Sequence, residues 1–224
     1  MTYVINSYIS FPTSIDPDYE YCWTTDPMTS NTGEIVVDTT EEKLEYNGLT
    51  RGGGNKVSTD ELASALDDSA WLMRYPHQIT SASGTGSNPY MFFVLSNNTS
   101  GQSVSQDAIG MSISRGSGFP SSVECTGLAK ADSSLAQGSG LSTSPTDSLR
   151  YFELNRISTT SGSLTSFTDE EYTDEESTVS ITGITSSITS LDTLKMCNFA
   201  SGSGGTVTGY VGSCVKIYDG ISEL

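Results

Sequence analysis

Short segments in which apolar and polar residues alternate recur along this 224-residue chain, and they constrain its fold more than any other feature. Alternation with a period of two gives each β-strand an apolar face and a polar face. The segment YMFFVLSN (90–97) is nearly all apolar, as expected of a central strand covered on both faces. Strands are predicted at 33–48 (two, joined by an acidic turn), 69–81, 90–97, 107–118, 148–158, 177–184, 191–201 and 205–220. Gly, Asn, Ser and Asp separate these segments, so the sequence predicts an all-β, two-sheet antiparallel sandwich.

Two segments depart from the pattern. Residues 58–69 (STDELASALDDS) predict one or two helical turns at most, because Leu62 and Leu66 lie four residues apart. Residues 133–148 (SSLAQGSGLSTSPTDS) are rich in small polar residues. They predict a long loop between two strands rather than a domain boundary.

The charge of the chain limits its partners. It carries 27 acidic and 10 basic residues, a formal net charge of −17. A surface this negative repels phosphate backbones, which argues against nucleic acid as a partner. The charge is compatible with calcium binding, with a saline environment or simply with solubility.

The sequence predicts neither membrane insertion nor a secretory signal. No run approaches the ~20 apolar residues of a membrane span, and the first residues lack a basic region followed by an apolar one. If the protein works outside a cell, we expect it to arrive there within an assembly or after trimming from a longer chain.

Residues 1–21 are interpreted as an N-terminal arm and residues 22–224 as the sandwich. Two prolines in the arm discourage a central strand. An extended arm rich in apolar side chains suits docking on other proteins of a multi-copy assembly. The alternative is that the arm folds back onto the closing strand and covers Tyr210 or Tyr218. The apolar residues of the arm are Tyr3, Val4, Ile5, Tyr8, Ile9 and Phe11.

Five strings follow one another in a distinctive order: DDSAWLMRYPHQITS, YMFFVLSNNTSGQSVSQDAIGMSIS, SLRYFELNRIS, LDTLKMCNF and GTVTGYVGSCVKIYDG. This series, over about residues 22–220, resembles the concanavalin A-like lectin/glucanase superfamily, and in particular the laminin-G-like domains of surface and viral proteins. The resemblance implies a jelly roll in which the first and last strands lie side by side. The closing strand would then complete a sheet edge that otherwise stays unpaired.

The closing strand departs from the superfamily, which usually has Asp where this chain has Gly212, Ser213 and Cys214. If the strands before and after residues 204–205 form a hairpin, Cys197 and Cys214 lie nearly opposite each other. A cross-strand disulfide is then predicted between them. The alternative is that both are small buried thiols. Cys22 and Cys125 cannot be assigned a partner from the sequence.

The sequence argues against an enzyme. Glucanases of the superfamily carry carboxylates in the spacing E-x-D-x-x-E on one strand, and no such string occurs here. The only histidine, His77, lies in a strand pattern and no GxSxG accompanies it, so we interpret it as an ordinary strand residue. The acidic stretch 168–178 (TDEEYTDEEST) indicates a solvated loop, with a cation site as the alternative.

Glycan recognition by jelly rolls needs aromatic faces that stack on sugar rings and polar groups that bond hydroxyls. Trp71 is predicted to lie in the core. Trp23, near a strand end, is the candidate for an exposed stacking residue, with core packing as the alternative. Tyr172, between two carboxylate clusters, is the second candidate.

Calcium is the one cofactor that the resemblance implies, because superfamily members often bind it near a sheet rim. The candidate ligands, chosen by position alone, are Asp26, Asn31 and Asp107.

Taken together, these features favour a non-enzymatic sandwich displayed on a virus particle, as a capsid decoration, turret or tail-fibre component, with or without attachment to host glycans. The expected location is a virion or an extracellular surface. The alternatives are a cell-surface or secreted carbohydrate-binding module and, third, a glycan-active enzyme, which the missing carboxylate motif opposes.

Overall fold

The computed structural model describes residues 15–28, 34–52, 54, 56–84, 89–99, 107–115, 123–131, 134–141, 148–199 and 205–221. These residues form strands and loops without a helix, and none of them belongs to a helix that could span a membrane. The strands are β1 (Tyr19–Cys22), β2 (Ile35–Asp38), β3 (Lys43–Thr50), β4 (Val57–Glu61), β5 (Trp71–Gly84), β6 (Pro89–Ser96), β7 (Ala108–Arg115), β8 (Val123–Ala131), β9 (Ser134–Gly140), β10 (Arg150–Ser158), β11 (Ser161–Phe167), β12 (Glu175–Ser180), β13 (Thr193–Asn198), β14 (Gly205–Gly212) and β15 (Cys214–Asp219).

The strands form two antiparallel sheets. The nine-stranded sheet has the order β12-β11-β10-β5-β14-β3-β2, with β15 beside β5 and β1 beside β15. The six-stranded sheet has the order β4-β13-β6-β7-β8-β9. The prediction of an all-β, two-sheet antiparallel sandwich is confirmed.

Side chains of both sheets meet in one core. Tyr75 on β5 contacts Phe93 of the six-stranded sheet edge-on, with 4.9 Å between ring centroids, and stacks on Phe152 of β10 at 5.8 Å. His77, also on β5, is fully buried and hydrogen-bonds the Tyr46 hydroxyl at 2.8 Å. Burial lowers the pKa of His77 to about 3, so the imidazole is neutral at physiological pH. This residue therefore serves the core.

The closing strand lies inside the nine-stranded sheet, which corrects the expectation that it completes an edge. Its first half, β14, pairs with both β5 and β3, and its second half, β15, pairs with β5 and β1. The two halves meet at Ser213, whose φ of 35° bends the chain. Gly209 is required here because a Cβ would come within 2.2 Å of the Tyr46 hydroxyl and 2.3 Å of the Gln78 carbonyl.

The disulfide joins Cys22 to Cys214, so the predicted Cys197–Cys214 pairing is wrong. Cys22 and Cys214 are register partners on the adjacent strands β1 and β15. Cys197 lies on β13 of the six-stranded sheet, and because β14 belongs to the other sheet, these two strands do not form a hairpin. Cys197 and Cys125 are buried thiols, as the alternative interpretation of Cys197 expected.

Several boundaries differ from the sequence-based expectation, and β8 and β11 lie in segments for which no strand was predicted. Residues 58–61 belong to strand β4, where a helical turn was expected, and residues 134–140 form β9 within the expected loop. Residues 19–21 of the expected arm pair with β15, and Tyr21 is buried in the core. Residues 19–21 thus meet the closing strand near Tyr218, while residues 1–14 lie outside the described ranges.

Candidate functional site

A depression opens on the outer face of the nine-stranded sheet where the closing strand bends. Strand β5 pairs with β14 up to His77, whose register partner is Val211. It pairs with β15 from Arg74 onward, where the register partner is Lys216. Pro76 therefore faces the bend, where the ladder of hydrogen bonds is interrupted and a residue without an N–H is tolerated. Because Gly212 beside it has no side chain, the sheet surface is low at this point.

We call this depression the aromatic groove. Its volume is about 230 Å³. Its apolar wall consists of Pro76, Leu149, Tyr151 and Tyr210, and its charged wall consists of Glu41, Glu42, Lys43 and Glu170. Gly212 and Ser213 complete the lining.

The turn between β2 and β3 supplies one side of the charged wall. Asp38 orders this turn, since its Oδ1 accepts hydrogen bonds from the N–H groups of Thr40 at 2.8 Å and Glu41 at 3.1 Å. Glu42 has a left-handed φ of 53°. Lys43 lies 3.5 Å from a Glu41 carboxylate oxygen and 4.7 Å from the centroid of the Tyr210 ring.

The acidic loop, residues 168–174, supplies the other side. Asp169 accepts hydrogen bonds from the N–H groups of Thr173 and Asp174 at 3.0 and 2.8 Å and from the Thr173 hydroxyl. These bonds stabilise the charged form and lower the pKa of Asp169. The loop is thereby closed on itself and holds Glu170 at the groove.

Tyr172 fastens the acidic loop to the sheet. Its ring contacts those of Phe167 and Tyr151 edge-on, at centroid distances of 5.4 and 6.0 Å. The Arg74 guanidinium lies 4.4 Å from the Tyr172 centroid and 2.7 Å from a Glu153 carboxylate oxygen. Burial raises the pKa of Tyr172, against the opposing effect of Arg74. Tyr172 is therefore a half-buried residue behind the groove wall.

Tyr151 lines the groove, and its hydroxyl is protonated at physiological pH. Burial raises the pKa of Tyr151, and the carboxylates of Glu170, Glu171 and Asp169 raise it further. The phenol is therefore able both to donate and to accept a hydrogen bond. Together with the neighbouring carboxylates, the groove offers flat apolar surfaces beside strong hydrogen-bond acceptors.

Backbone strain is concentrated at this groove. Four non-glycine residues in the described ranges have left-handed φ values: Glu42, Tyr172, Ser190 and Ser213. Glu42 and Ser213 line the groove, and Tyr172 contacts its wall. Strained residues persist only where surrounding contacts hold them, and they cluster at binding sites.

Trp23 is not an exposed stacking residue. Its side chain has no exposed surface and belongs to the core, as its alternative interpretation expected. The backbone N–H of Trp23 donates to the Ser213 carbonyl at 3.2 Å, and this bond holds the residue after β1 against the bend of the closing strand. Trp71 is likewise in the core.

The predicted calcium ligands lie on separate segments. Asp26, which follows β1, is exposed and accepts a hydrogen bond from the Met28 N–H at 3.1 Å. Asp107 precedes β7 of the other sheet. Its N–H donates to the Asn97 side-chain oxygen at 3.1 Å, and its Oδ2 accepts from the Asn97 amide at 3.4 Å. Asn31 lies outside the described residues.

Within the described ranges, one group of three His, Cys, Asp or Glu side chains is close enough to share a metal ion. It consists of Glu20, Cys22 and Cys214. Both cysteines are joined in the disulfide, which removes their thiolates as ligands. Asp26 and Asp107 therefore do not belong to a group of three such ligands in this part of the chain.

One pattern in the sequence indicates part of the groove. Alternation in SLRYFELNRIS puts Leu149, Tyr151 and Glu153 on one face of the strand, which is the outer face that the structure shows. Nothing in the sequence joins that face to Tyr210 and to the turn at 39–42, because these meet only through the strand order of the sheet. The groove was therefore missed, and Tyr172, which the sequence suggested as a stacking residue, lies behind the groove wall. Its role in glycan binding stays a prediction.

Solved structures with a similar fold include sugar-bound and lectin-like domains. The chain is similar to the calcium- and mannose-bound exoplasmic/lumenal domain of VIP36, with a TM-score of 0.56, 11% identity, and coverage of 87% of this chain and 84% of that one. It is also similar to a legume lectin-like domain from Entamoeba histolytica, with a TM-score of 0.51, 12% identity, and coverage of 85% and 89%. No protein-family profile matches the sequence. No curated protein is significantly similar to it in sequence.

Proposed function

Because the chain has the concanavalin A-like jelly-roll fold of the legume-lectin type, we propose that it is a non-enzymatic protein that binds glycans at the aromatic groove. The observation that carries this proposal is the combination of two tyrosine rings and a proline with carboxylates in one depression. Flat rings pack against the C–H faces of sugars, and carboxylates accept hydrogen bonds from their hydroxyls.

The size of the groove suits a sugar unit rather than a large ligand. Its volume of about 230 Å³ lies below the ~300–1,000 Å³ of pockets that enclose drug-sized molecules. An oligosaccharide would place one unit in the groove and leave the rest along the sheet surface. Non-enzymatic binding is favoured over hydrolysis by the missing E-x-D-x-x-E string.

The disulfide of the sandwich supports the proposal of display on an outer surface. The disulfide between Cys22 and Cys214 is of the kind that forms and persists outside reducing compartments. Display on a virion through docking of the arm within a multi-copy assembly stays a prediction, beside the alternative of a cell-surface or secreted binding module. Detection of the chain in purified particles would separate the two.

Replacing Tyr151 with alanine is expected to weaken glycan binding roughly tenfold, because a stacking ring of this kind contributes about 1.4 kcal/mol. The measurement is a screen against neutral, anionic and cationic oligosaccharides, followed by calorimetry with the best binder. Tyr151→Phe is the matched control, since it keeps the ring.

If Tyr151→Ala and the unchanged protein bind the oligosaccharide with equal affinity, the groove is not the binding site. If no oligosaccharide binds the unchanged protein, the glycan function itself fails. Release of reducing ends during the screen would instead favour a glycan-active enzyme.

We further propose calcium binding at Asp107. Its carboxylate accepts a hydrogen bond from the Asn97 amide N–H, and the Asn97 oxygen accepts one from the Asp107 backbone N–H. Carboxylate and amide oxygens are hard donors of the kind that calcium prefers. The solved neighbours include calcium-bound forms. At about 10 mM calcium and a Kd of ~0.1–1 mM, folding gains roughly 1.4–2.7 kcal/mol, and the melting temperature of a chelated sample is expected to rise by about 3–10 °C.

The variant Asp107→Asn should lose this rise, whereas Asp26→Asn should keep it if the two residues act separately. If calcium does not change the melting temperature of a chelated sample, the proposed calcium binding is wrong. The negative charge of the chain would then serve solubility alone.

A further inference from the structure

The charges of the aromatic groove point to one class of sugar. We infer that the groove selects glycans that carry a free ammonium group, such as oligomers of glucosamine, over neutral and anionic glycans. This inference rests on the proposed glycan function and adds the chemical class of the ligand.

The groove has more negative than positive charge. Three carboxylates line it, from Glu41, Glu42 and Glu170, against the single ammonium of Lys43. Lys43 is 3.5 Å from Glu41 and therefore compensates that carboxylate. Among the described residues, Glu42 and Glu170 form no ion pair. A cation in the groove would meet two uncompensated carboxylates, whereas an anionic sugar would be repelled by them.

The tyrosines of this surface already hold cations over their rings. Lys43 lies over Tyr210 and Arg74 lies over Tyr172, at 4.7 and 4.4 Å from the ring centroids. Tyr151 lines the groove with Tyr210 and contacts the Tyr172 ring edge-on at 6.0 Å. No cation lies over the Tyr151 ring within the described ranges. A ligand ammonium at Tyr151 would thus repeat an arrangement that the protein forms twice with its own side chains.

Both carboxylates are carried by ordered backbone. Glu170 lies in the acidic loop, which Asp169 closes through hydrogen bonds to Thr173 and Asp174 and which Tyr172 fastens to the sheet. Glu42 lies in the turn that Asp38 orders, in a left-handed conformation that the following strand β3 maintains. A preorganised pair of charges loses little freedom when a ligand binds.

The test compares two oligosaccharides of equal length, one of glucosamine and one of N-acetylglucosamine. They differ in the acetyl group on the nitrogen, which converts a charged ammonium into a neutral amide. At about pH 5.5, above the ordinary pKa of glutamate, and at low salt, the glucosamine oligomer is expected to bind at least tenfold more tightly. Glu42→Gln is expected to weaken its binding about fivefold and to leave the acetylated oligomer unaffected.

Glu61→Gln is the matched control, because Glu61 is also exposed and lies on β4 of the other sheet. If it weakens glucosamine binding as much as Glu42→Gln does, attraction to the whole negative chain explains the binding and the inference is wrong. Equal binding of the two oligomers, both weakened by Tyr151→Ala, would overturn the inference and keep the glycan function. Binding only of a different, neutral glycan would do the same. Absence of binding by any glycan would overturn both proposals.

Discussion

Replacing Cys22 and Cys214 together with alanine is expected to lower the melting temperature by roughly 10–20 °C. The bond joins residues 192 positions apart, and closing a loop of that length removes unfolded-state entropy worth about 5 kcal/mol. In a domain of this size each kcal/mol shifts the melting temperature by roughly 2–4 °C. Calorimetry or circular dichroism of the variant beside the unchanged protein measures the shift.

Reductant provides the control for this experiment. It should lower the melting temperature of the unchanged protein to that of the double variant and have no further effect on the variant. Peptide mapping under non-reducing conditions should recover a crosslinked pair containing Cys22 and Cys214, with Cys125 and Cys197 as thiols. A Cys197–Cys214 peptide, or a melting temperature that the double substitution leaves unchanged, would contradict the structure.

A chain that ends at residue 203 is expected not to fold cooperatively. The truncation removes β14 and β15, which lie between β3 and β5 and between β1 and β5. It splits the nine-stranded sheet and exposes the core that Val207, Val211, Val215 and Ile217 cover. Losing the burial of these four aliphatic side chains costs roughly 1.5–3 kcal/mol for each. The total is comparable to the whole free energy of unfolding of an ordinary domain.

Thermal unfolding followed by circular dichroism tests this expectation, with a chain ending at residue 221 as the control that keeps both strands. If the shorter chain melts cooperatively at the temperature of the control, the position of the closing strand inside the sheet is incorrect.

Strands with a clear apolar pattern were predictable from the sequence. YMFFVLSN became β6, and the segment around Trp71 became β5, because buried apolar residues dominate both. Strand β9 was not predictable, since most of its residues are small. Its Gly138 and Ala136 lie against the segment 180–183, where a Cβ on Gly138 would come within 2.8 Å of the Ser180 carbonyl. The small residues of β9 suggest a loop when the sequence is considered alone. In the structure they are required because β9 and the segment 180–183 approach each other closely.

The disulfide and the groove depend on strand order, which local patterns do not contain. Cys197 and Cys214 flank a glycine-rich segment and suggested a hairpin, but their strands belong to opposite sheets. In the same way, the outward face of Tyr151 was predictable from alternation, while its meeting with Glu42 and Tyr210 follows from the bend at Ser213. Residues brought together by pairing over long sequence distances are those that the sequence alone could not assign.

The position of the disulfide has a mechanical consequence. Asp219 donates its N–H to the Asp18 carboxylate at 2.7 Å, so the two ends of the sandwich lie together a few residues outside the Cys22–Cys214 bond. Tension applied through both ends would therefore run across a covalent bond and bypass the strands from β2 to β14. If the protein is held between a support and a surface, the load would be carried by the disulfide while the sheets and the groove stay unstretched. After reduction of this bond, the same tension would first peel β1 away from β15.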